Sequence, residues 1–253
     1  MAVLQVFPKS EVIEIPSTPS TNKFVEELLN TEQIADGTVY YTLDQTAGIG
    51  QAGNSWESEP SKNLTATVVL KPEFLSATDQ FYLTIVASLS VCQTVDAYLN
   101  NHYSQIKWPN DIYVNHNKIA GILIRNYVSA NTISTTIAGI GLNINQTIFK
   151  EAPNAISLKI LLREDFNIQS VLTKWHENLA YFYLRLQDNP KELLQLYLSR
   201  MYMRGIAANY LIENQIVNAT IEGVDKYGLL VLYDKSGKKY TCGLKEIIYP
   251  PLG

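Results

Sequence analysis

The stretch AGIGQAGNSW, Ala47–Trp56, decides which fold class the chain can adopt. Gly48, Gly50 and Gly53 spell G-x-G-x-x-G, which in a dinucleotide-binding fold follows a strand and opens directly into a helix. A β-rich segment, GTVYYTLDQT, does precede the glycines, but Pro60 and a second strand pattern, NLTATVVLKP, follow them. A glycine loop between two strands excludes a Rossmann turn. A P-loop is excluded as well, because no Gly-Lys-Ser/Thr closes the stretch.

Before and after this loop, the chain divides into segments with a helical pattern and segments with a strand pattern. STNKFVEELLN predicts a helix with Ser20 as its N-cap, and TDQFYLTIVASLSVCQTVDAYLN predicts a long helix. Strand patterns follow in SQIKWP, DIYVN, KIAGILIR and TISTTIAGIGLNIN, with NHN and NYVSAN as turns. Two further helices are predicted in IQSVLTKWHENLAYFYLRLQ and PKELLQLYLSRM.

From about Arg204 the pattern changes to short strands separated by DKYG and DKSG turns, which predicts a small β-barrel. The order of these blocks predicts an α+β fold with a mixed, largely antiparallel sheet and flanking helices. We expect one domain over residues 1–203 and the barrel over residues 204–253.

The composition is that of an ordinary globular protein, with 46% hydrophobic and 17% charged residues among 253. A formal net charge of −4 argues against a nucleic-acid-binding surface. No signal peptide and no membrane-span pattern is found. Cys92 and Cys242 are expected to be buried, reduced thiols. We therefore expect a cytoplasmic protein that binds neither DNA nor a membrane.

Two kinds of chemistry are not expected from this sequence. The histidines His102, His116 and His176 lack the spacing of metal ligands, which argues against a zinc site. No G-x-S-x-G motif occurs, which argues against an acyl-enzyme hydrolase.

The stretch KWPNDIYVNHNKIAGILIR carries two lysines among apolar neighbours. Because burying an unpaired ammonium costs roughly several kcal/mol, Lys107 and Lys118 either extend to solvent or bind an anion. Their placement around Trp-Pro-Asn-Asp, in a chain that also has a glycine loop, favours an anion. Asp111 either pairs with one of the lysines or helps to hold Mg²⁺ beside a nucleotide phosphate. Ala120 and Gly121 are expected to leave room for a ligand against the strand.

Five motifs in this order resemble those of biotin protein ligases: STN at Ser20–Asn22, Gln45 with the glycine loop, KWPNDI, KIAGIL and GIGLNIN. The C-terminal segment resembles the SH3-like barrel of those enzymes. The resemblance implies a class II synthetase-like fold and an ATP-dependent ligase that activates biotin as biotinyl-5′-AMP. The acceptor would be a lysine of the biotin carboxyl carrier protein of acetyl-CoA carboxylase or a related carboxylase, and the enzyme a monomer or a homodimer.

The resemblance also implies roles for individual residues. Lys118 would bridge the biotin carboxylate and the α-phosphate of ATP, with Lys107 as the second catalytic residue. Biotin would contact Ser20, Thr21, Asn22, Gln45, Gly48, Ile49, Gly50, Gln51, Lys118 and Gly121. ATP would contact Trp56, Lys107, Asn110, Asp111 and Asn143, with Asp111 also near Mg²⁺. Trp56 and Trp108 could each pack in the core or stack on adenine, and for either one considered alone we expect packing.

Two features depart from the family pattern. The family's loop usually reads G-R-G-R-x-G-R, whereas Ile49, Gln51 and Asn54 are neutral here. Many relatives also carry a DNA-binding winged helix, and the residues before Ser20 are too few for one. We therefore expect a ligase without a repressor function.

Two alternatives stay open. One is a lipoate–protein ligase of the same fold, and the other is a binder of biotin or its adenylate that has no catalytic activity. The KWPND stretch beside the glycine loop favours biotin. The presence of both lysines favours catalysis, because binding biotin alone requires no phosphate clamp.

Overall fold

The structure, a computed structural model, describes residues 3–99 and 103–250, and of Ala52 it describes only the backbone. Within these ranges the α-helices are α1 (Val3–Val6), α2 (Thr21–Leu28), α3 (Phe81–Asp96), α4 (Leu158–Leu162), α5 (Ile168–Asp188) and α6 (Pro190–Ser199). The strands are β1 (Val12–Glu14), β2 (Val39–Thr42), β3 (Gly48–Ile49), β4 (Ser55–Trp56), β5 (Leu64–Leu70), β6 (Gln105–Lys107), β7 (Asp111–Val114), β8 (Asn117–Ser129), β9 (Thr132–Leu142), β10 (Ala207–Ile212), β11 (Gln215–Val224), β12 (Leu230–Asp234), β13 (Lys239–Cys242) and β14 (Ile247–Ile248).

A seven-stranded sheet forms the centre of the molecule, in the order β1-β2-β5-β9-β8-β7-β6. Each neighbouring pair is antiparallel except β1 and β2, which are parallel. The helices α2, α3, α5 and α6 lie in the segments predicted to be helical. The α+β class and the largely antiparallel sheet are therefore confirmed.

The two faces of this sheet pack against different helices because side chains alternate along each strand. Val39 and Val68 belong to the main core, which α3, α5 and α6 cover. Tyr40, Val69 and Ile137 point the other way and form a smaller core with α2. Because α2 is short, it leaves part of this second face uncovered, and a cleft lies there.

The C-terminal strands form a separate sheet in the order β13-β12-β11-β10-β14. The DKYG and DKSG turns are confirmed, with Gly228 at φ +84° and Gly237 at φ +86°, a conformation that suits glycine. The prediction of a closed barrel is wrong. Among the described residues, β13 and β14 are edge strands with no ladder between them. The strand β14 contributes only two residues, and the ladder that they form is with β10.

Two smaller predictions differ in outcome. NYVSAN was expected to be a turn, but β8 continues to Ser129 and the turn is confined to Ala130 and Asn131. Tyr127 and Val128 prolong the ladder with β9 across a bulge, because aromatic and β-branched residues suit a strand. Cys92 and Cys242 are free and buried, as predicted.

The two histidines within the described residues are both hydrogen-bonded to protein groups. The His176 ring nitrogen Nε2 lies 2.9 Å from the Gly37 carbonyl, and His116 Nδ1 lies 3.0 Å from the Tyr202 hydroxyl, so both have packing roles. His102 lies outside the described residues. Among the helices within those residues, none combines the length and apolar character that crossing a bilayer requires.

Candidate active site

A cleft of about 360 Å³ lies over the uncovered part of the central sheet. It is bounded by the start of α2, the hairpin β3–β4 and the C-terminal sheet. The predicted site residues that line it are Ser20, Thr21, Asn22, Gln45, Ile49, Gly50, Gln51, Trp56, Lys107, Asn110, Asp111, Lys118 and Gly121.

The floor of the cleft is a row of residues that face one another across adjacent strands. Lys107 pairs with Asp111, Asp111 with Gly121, and Gly121 with Gly141. Directly paired residues project to the same face of a sheet, so two charged side chains stand beside two glycines. The glycines leave space in which a ligand can lie against the backbone.

Lys118 and Gly121 share this face because β8 carries a bulge between them. Ile112 pairs with Ala120 and Tyr113 with Lys118, which leaves Ile119 as an extra residue. Ile119 and Ala120 are consecutive, and both are buried in the main core. Ala120 therefore lies away from the cleft, and the expectation that it makes room for a ligand is wrong.

The ammonium of Lys118 is held by opposite charge and by an aromatic ring. Its Nζ lies 2.7 Å from Asp111 Oδ1, with 31% and 32% of the two side chains exposed. The same Nζ lies 5.6 Å from the centre of the Trp56 ring, within cation–π range. Of the two roles open to Asp111, pairing with a lysine is confirmed. In a partly exposed ion pair of this kind, the lysine can leave the carboxylate and pair with the anion of a ligand instead.

Lys107 has a different environment. Its Nζ lies 5.1 Å from the centre of the Tyr113 ring and 4.9 Å from that of Tyr249. Burial lowers the pKa of this ammonium, nearby Asp111 raises it, and Lys118 lowers it. A lysine in a partly dry cleft is a strong partner for an anion, because water screens its charge less.

Hydroxyl and amide groups line the end of the cleft next to α2. Gln45 Oε1 accepts hydrogen bonds from the backbone N–H of Thr21 at 3.0 Å and from its hydroxyl at 3.3 Å. The buried Thr67 hydroxyl lies 2.8 Å from the Thr21 hydroxyl and donates to Asn22 Oδ1 at 2.6 Å. Asn22 Nδ2 in turn donates to the Leu123 carbonyl at 3.1 Å. These bonds fix uncharged polar groups in position to receive a polar, neutral part of a ligand.

Two positions of β9 must be glycine because side chains of other segments lie across them. A Cβ at Gly139 would lie 2.7 Å from Asn22 Cγ, and one at Gly141 would lie 2.5 Å from Trp56 Cζ2. Both distances are shorter than a van der Waals contact. Asn22 and Trp56 therefore lie directly on the backbone of the sheet.

The glycine loop forms a small hairpin. Gly48 pairs with Trp56, and the Gly50 N–H donates to the Asn54 carbonyl at 2.7 Å. Gly48 does not line the cleft, and a Cβ there would lie 2.7 Å from Gln45 Nε2. The glycine thus lets Gln45 approach the hairpin, and its contact with biotin stays a prediction.

A second cavity of about 170 Å³ lies on the other side of Trp56 and Lys118. Trp56, Tyr113 and Phe149 give it aromatic walls, and Asn143 lines it instead of the larger cleft. Trp56 Nε1 and Asn143 Oδ1 are buried and find no hydrogen-bond partner within the described residues. These unpaired atoms belong to two residues that wall an aromatic cavity, and such a cavity suits a planar heterocycle.

Comparison with known proteins agrees with this geometry. The sequence profile of the biotin/lipoate A/B protein ligase family matches residues 14–145, just over half of the chain. The chain belongs to this family. The matched residues include α2, the glycine hairpin and the strands β5 to β9 that carry the cleft.

Individual relatives in the family are similar over different lengths. The bifunctional ligase/repressor BirA of Bacillus spizizenii is 35% identical over 128 residues, which are 50% of this chain and 38% of that protein. A biotin–[acetyl-CoA-carboxylase] ligase of Paracoccus denitrificans is 31% identical over 50% of this chain and 52% of its own length. The chain thus spans only about half or less of these two relatives.

A solved structure in the family matches nearly the whole chain. The biotin protein ligase from Aquifex aeolicus, in complex with biotin and ATP, has a TM-score of 0.75 and 25% identity. The superposition covers 95% of this chain and 98% of the Aquifex chain. The fold described here is therefore that of the family, including the C-terminal sheet.

Three family motif residues have a local role beside the cleft. Ser20 is the N-cap of α2, as predicted: its carbonyl accepts from the Phe24 N–H, and its side chain makes no capping hydrogen bond. Asn110 is buried and donates to the Ile122 carbonyl. Trp108 Nε1 donates to the Gly228 carbonyl at 2.8 Å, which confirms packing for this residue.

Sequence reasoning missed several residues at the cleft. Thr67, which supports the cleft through its bond to Asn22, lies in an ordinary strand pattern, and nothing in that pattern marks it. Gly139 and Gly141 belong to GIGLNIN, but of that motif only Asn143 was given a role. Leu244, Lys245 and Ile247 reach the cleft from the C-terminal sheet. A charged residue at φ +72°, as for Lys245, is uncommon and marks a turn, but this angle cannot be recognised from the sequence.

Proposed function

We propose that the chain is an ATP-dependent ligase that activates biotin as biotinyl-5′-AMP. It then transfers the biotinyl group to the acceptor lysine of the biotin carboxyl carrier protein of acetyl-CoA carboxylase or a related carboxylase. The observation that carries this proposal is the position of two ammonium groups, Lys107 and Lys118, over a glycine floor between two differently lined pockets.

The first step requires cations at this point. A carboxylate oxygen of biotin attacks the α-phosphorus of ATP, a new P–O bond forms, and pyrophosphate leaves with the electrons of the bond that breaks. Two anions must approach each other, so charges fixed in a partly dry cleft lower the barrier. Lys118 would leave Asp111 and bridge the two anions, and Lys107 would hold the phosphates. In the second step the amine of the carrier lysine attacks the acyl carbon and AMP leaves.

The two pockets suit the two substrates. The neutral polar groups of Thr21, Asn22 and Gln45 match a ureido ring, which has both donors and acceptors but no charge. The second cavity, walled by Trp56, Tyr113 and Phe149, matches the flat ring of adenine. The carboxylate of Glu57 accepts from the backbone N–H groups of Lys150 at 2.9 Å and Glu151 at 2.8 Å, which holds the segment over this cavity.

Mg²⁺ would enter with the phosphates of ATP. Within the described residues, no group of three or more histidine, cysteine, aspartate or glutamate side chains is positioned to hold a metal ion alone. Mg²⁺ is commonly held by one or two carboxylates together with substrate phosphates. Asp111 fits that need once Lys118 turns to the substrate, and it would supply one carboxylate oxygen.

Other parts of the proposal concern the whole protein. We propose a catalytic domain over residues 1–203 and a C-terminal domain over residues 204–253, a boundary that falls between α6 and β10. Two free, buried cysteines fit a reducing compartment, and we place the reaction in the cytoplasm. The enzyme would act as a monomer or a homodimer.

Exchange of labelled pyrophosphate into ATP tests the proposal directly. We expect exchange that depends on biotin and is absent without an acid substrate. Exchange with lipoate instead of biotin would identify a lipoate-type ligase. Biotin binding without exchange would identify a binder with no catalytic activity, and either result would overturn the proposal.

A prediction concerns the missing arginines of the glycine hairpin. Gln51 lines the cleft, and an arginine there would make charge-assisted hydrogen bonds to the adenylate phosphate. We expect Gln51→Arg to slow the release of preformed biotinyl-adenylate by about tenfold, equivalent to about 1.4 kcal/mol. Stopped-flow measurement of release checks this. The matched control is Gln215→Arg, the same change at an exposed position of β11, and equal release rates for both variants would contradict the prediction.

A further inference from the structure

Lys107 is enclosed by the rings of two tyrosines that come from different sheets. Tyr113 belongs to β7, whereas Tyr249 follows β14 of the C-terminal sheet. The Lys107 Nζ lies 5.1 Å and 4.9 Å from the centres of these rings, and 3.4 Å from the Tyr113 hydroxyl. We propose that Tyr249 is a positioning residue, which holds the Lys107 ammonium at the cleft for the phosphates of ATP. This inference rests on the proposed ligase function.

A ring face suits this purpose better than a carboxylate. The π-electrons attract the ammonium, most strongly where water is excluded, but a ring adds no negative charge that would compete with or repel phosphate. Asp111, the carboxylate nearest to both lysines in the floor row, forms its ion pair with Lys118. Lys107 is therefore fixed in place without being neutralised.

The ring of Tyr249 is itself held in place. It packs edge-on against Tyr210 at 5.5 Å between ring centres, and it lies 6.4 Å from Tyr202. Its hydroxyl is buried and has no hydrogen-bond partner within the described residues. Because that hydroxyl makes no bond, the ring alone carries the proposed role, and its removal to phenylalanine breaks no hydrogen bond.

The consequence is a role for the C-terminal sheet in activation. Tyr249 does not line the cleft, so it would act through Lys107 rather than by touching ATP. Lysine has a long, flexible side chain, and its confinement between two rings is completed only when the C-terminal segment packs against β7.

The test compares two substitutions at Tyr249. Tyr249→Leu removes the ring face, and we expect the KM for ATP in pyrophosphate exchange to rise by about tenfold. Tyr249→Phe keeps the ring, and we expect a KM within about threefold of the unchanged protein. Biotin affinity, measured by calorimetry, should stay the same in both variants. Similar KM values for the leucine and phenylalanine variants would overturn the proposal.

A double-variant cycle excludes a merely structural role. If Tyr249 acts through Lys107, then Tyr249→Leu should have almost no further effect on the KM for ATP in a Lys107→Ala protein. An unchanged tenfold effect in that background would overturn the proposal. The control is Tyr227→Leu, which removes an exposed ring that lies 4.7 Å from Lys226 Nζ on the same sheet, and which should leave exchange unchanged.

Failure of the proposed function gives a different result. In that case the unchanged protein shows no biotin-dependent exchange at all. Exchange in the unchanged protein together with no effect of Tyr249→Leu rejects only the role of Tyr249.

Discussion

Lys118→Ala is expected to abolish biotin-dependent pyrophosphate exchange while the fold stays intact. The loss of one fixed charge donor costs on the order of 10²–10³ in rate, and a residue that bridges two anions is expected to cost at least that much. The substitution also leaves the Asp111 carboxylate without its partner in the cleft, where it repels both substrates. Lys118→Arg should also be poor, because a planar guanidinium does not replace a compact ammonium.

A matched control separates this effect from the loss of an ion pair. Lys159 forms an ion pair with Asp165 at the same Nζ–Oδ1 distance of 2.7 Å, and its side chain is 32% exposed against 31% for Lys118. Lys159→Ala should leave exchange unchanged, and neither variant should lose more than about 1 kcal/mol of unfolding free energy. Thermal unfolding and initial exchange rates measure both. Exchange near that of the unchanged protein in Lys118→Ala would remove this residue from the mechanism.

The sequence contains enough information to bring Lys107, Asp111 and Lys118 together. Pro109 and Asn110 stand between two strand patterns, and a hairpin there makes Lys107 and Asp111 neighbours. The next turn, at Asn115 and His116, returns the chain so that Lys118 pairs with Tyr113, which projects to the same face as Asp111. Short antiparallel connections therefore make this part of the site predictable.

Gly121 shows where that reasoning ends. A regular strand places residues three apart on opposite faces, so Lys118 and Gly121 would have been separated by the sheet. The extra residue Ile119 reverses this, and no pattern in KIAGIL marks a bulge. Ala120 was expected in the cleft because it is small, but it pairs with Ile112 and is buried in the core.

The polar end of the cleft could not be predicted for a different reason. Thr67 lies in NLTATVVLKP, where threonine is explained by its preference for strands. Its contact with Asn22 joins β5 to α2 across 45 residues of sequence. A contact of this kind depends on which face of the sheet α2 covers, and that is decided by the packing of the whole domain.

Gly139→Ala is expected to weaken biotin binding by roughly 100-fold, equivalent to about 2.7 kcal/mol. The new Cβ would lie 2.7 Å from Asn22 Cγ and 2.9 Å from Asn22 Nδ2, so the amide must leave its position. Asn22 then loses its bonds to Thr67 and to the Leu123 carbonyl, and the buried partners are left unsatisfied. Forced overpacking of this kind also lowers stability, typically by about 1–3 kcal/mol. Calorimetry with biotin and thermal unfolding measure the two losses.

The double variant Gly139→Ala, Asn22→Ala shows whether Asn22 carries the effect. With the Asn22 side chain removed, the new methyl group has space, so Gly139→Ala should cost little further stability in that background. Biotin binding should stay weak in the double variant, because the amide that fixes the polar end of the cleft is gone. If stability recovers but affinity does not, then residue 139 must be glycine because the Asn22 side chain lies against it. If Gly139→Ala binds biotin as tightly as the unchanged protein, the polar groups beside α2 do not hold the biotin ring, and the ligand lies elsewhere in the cleft.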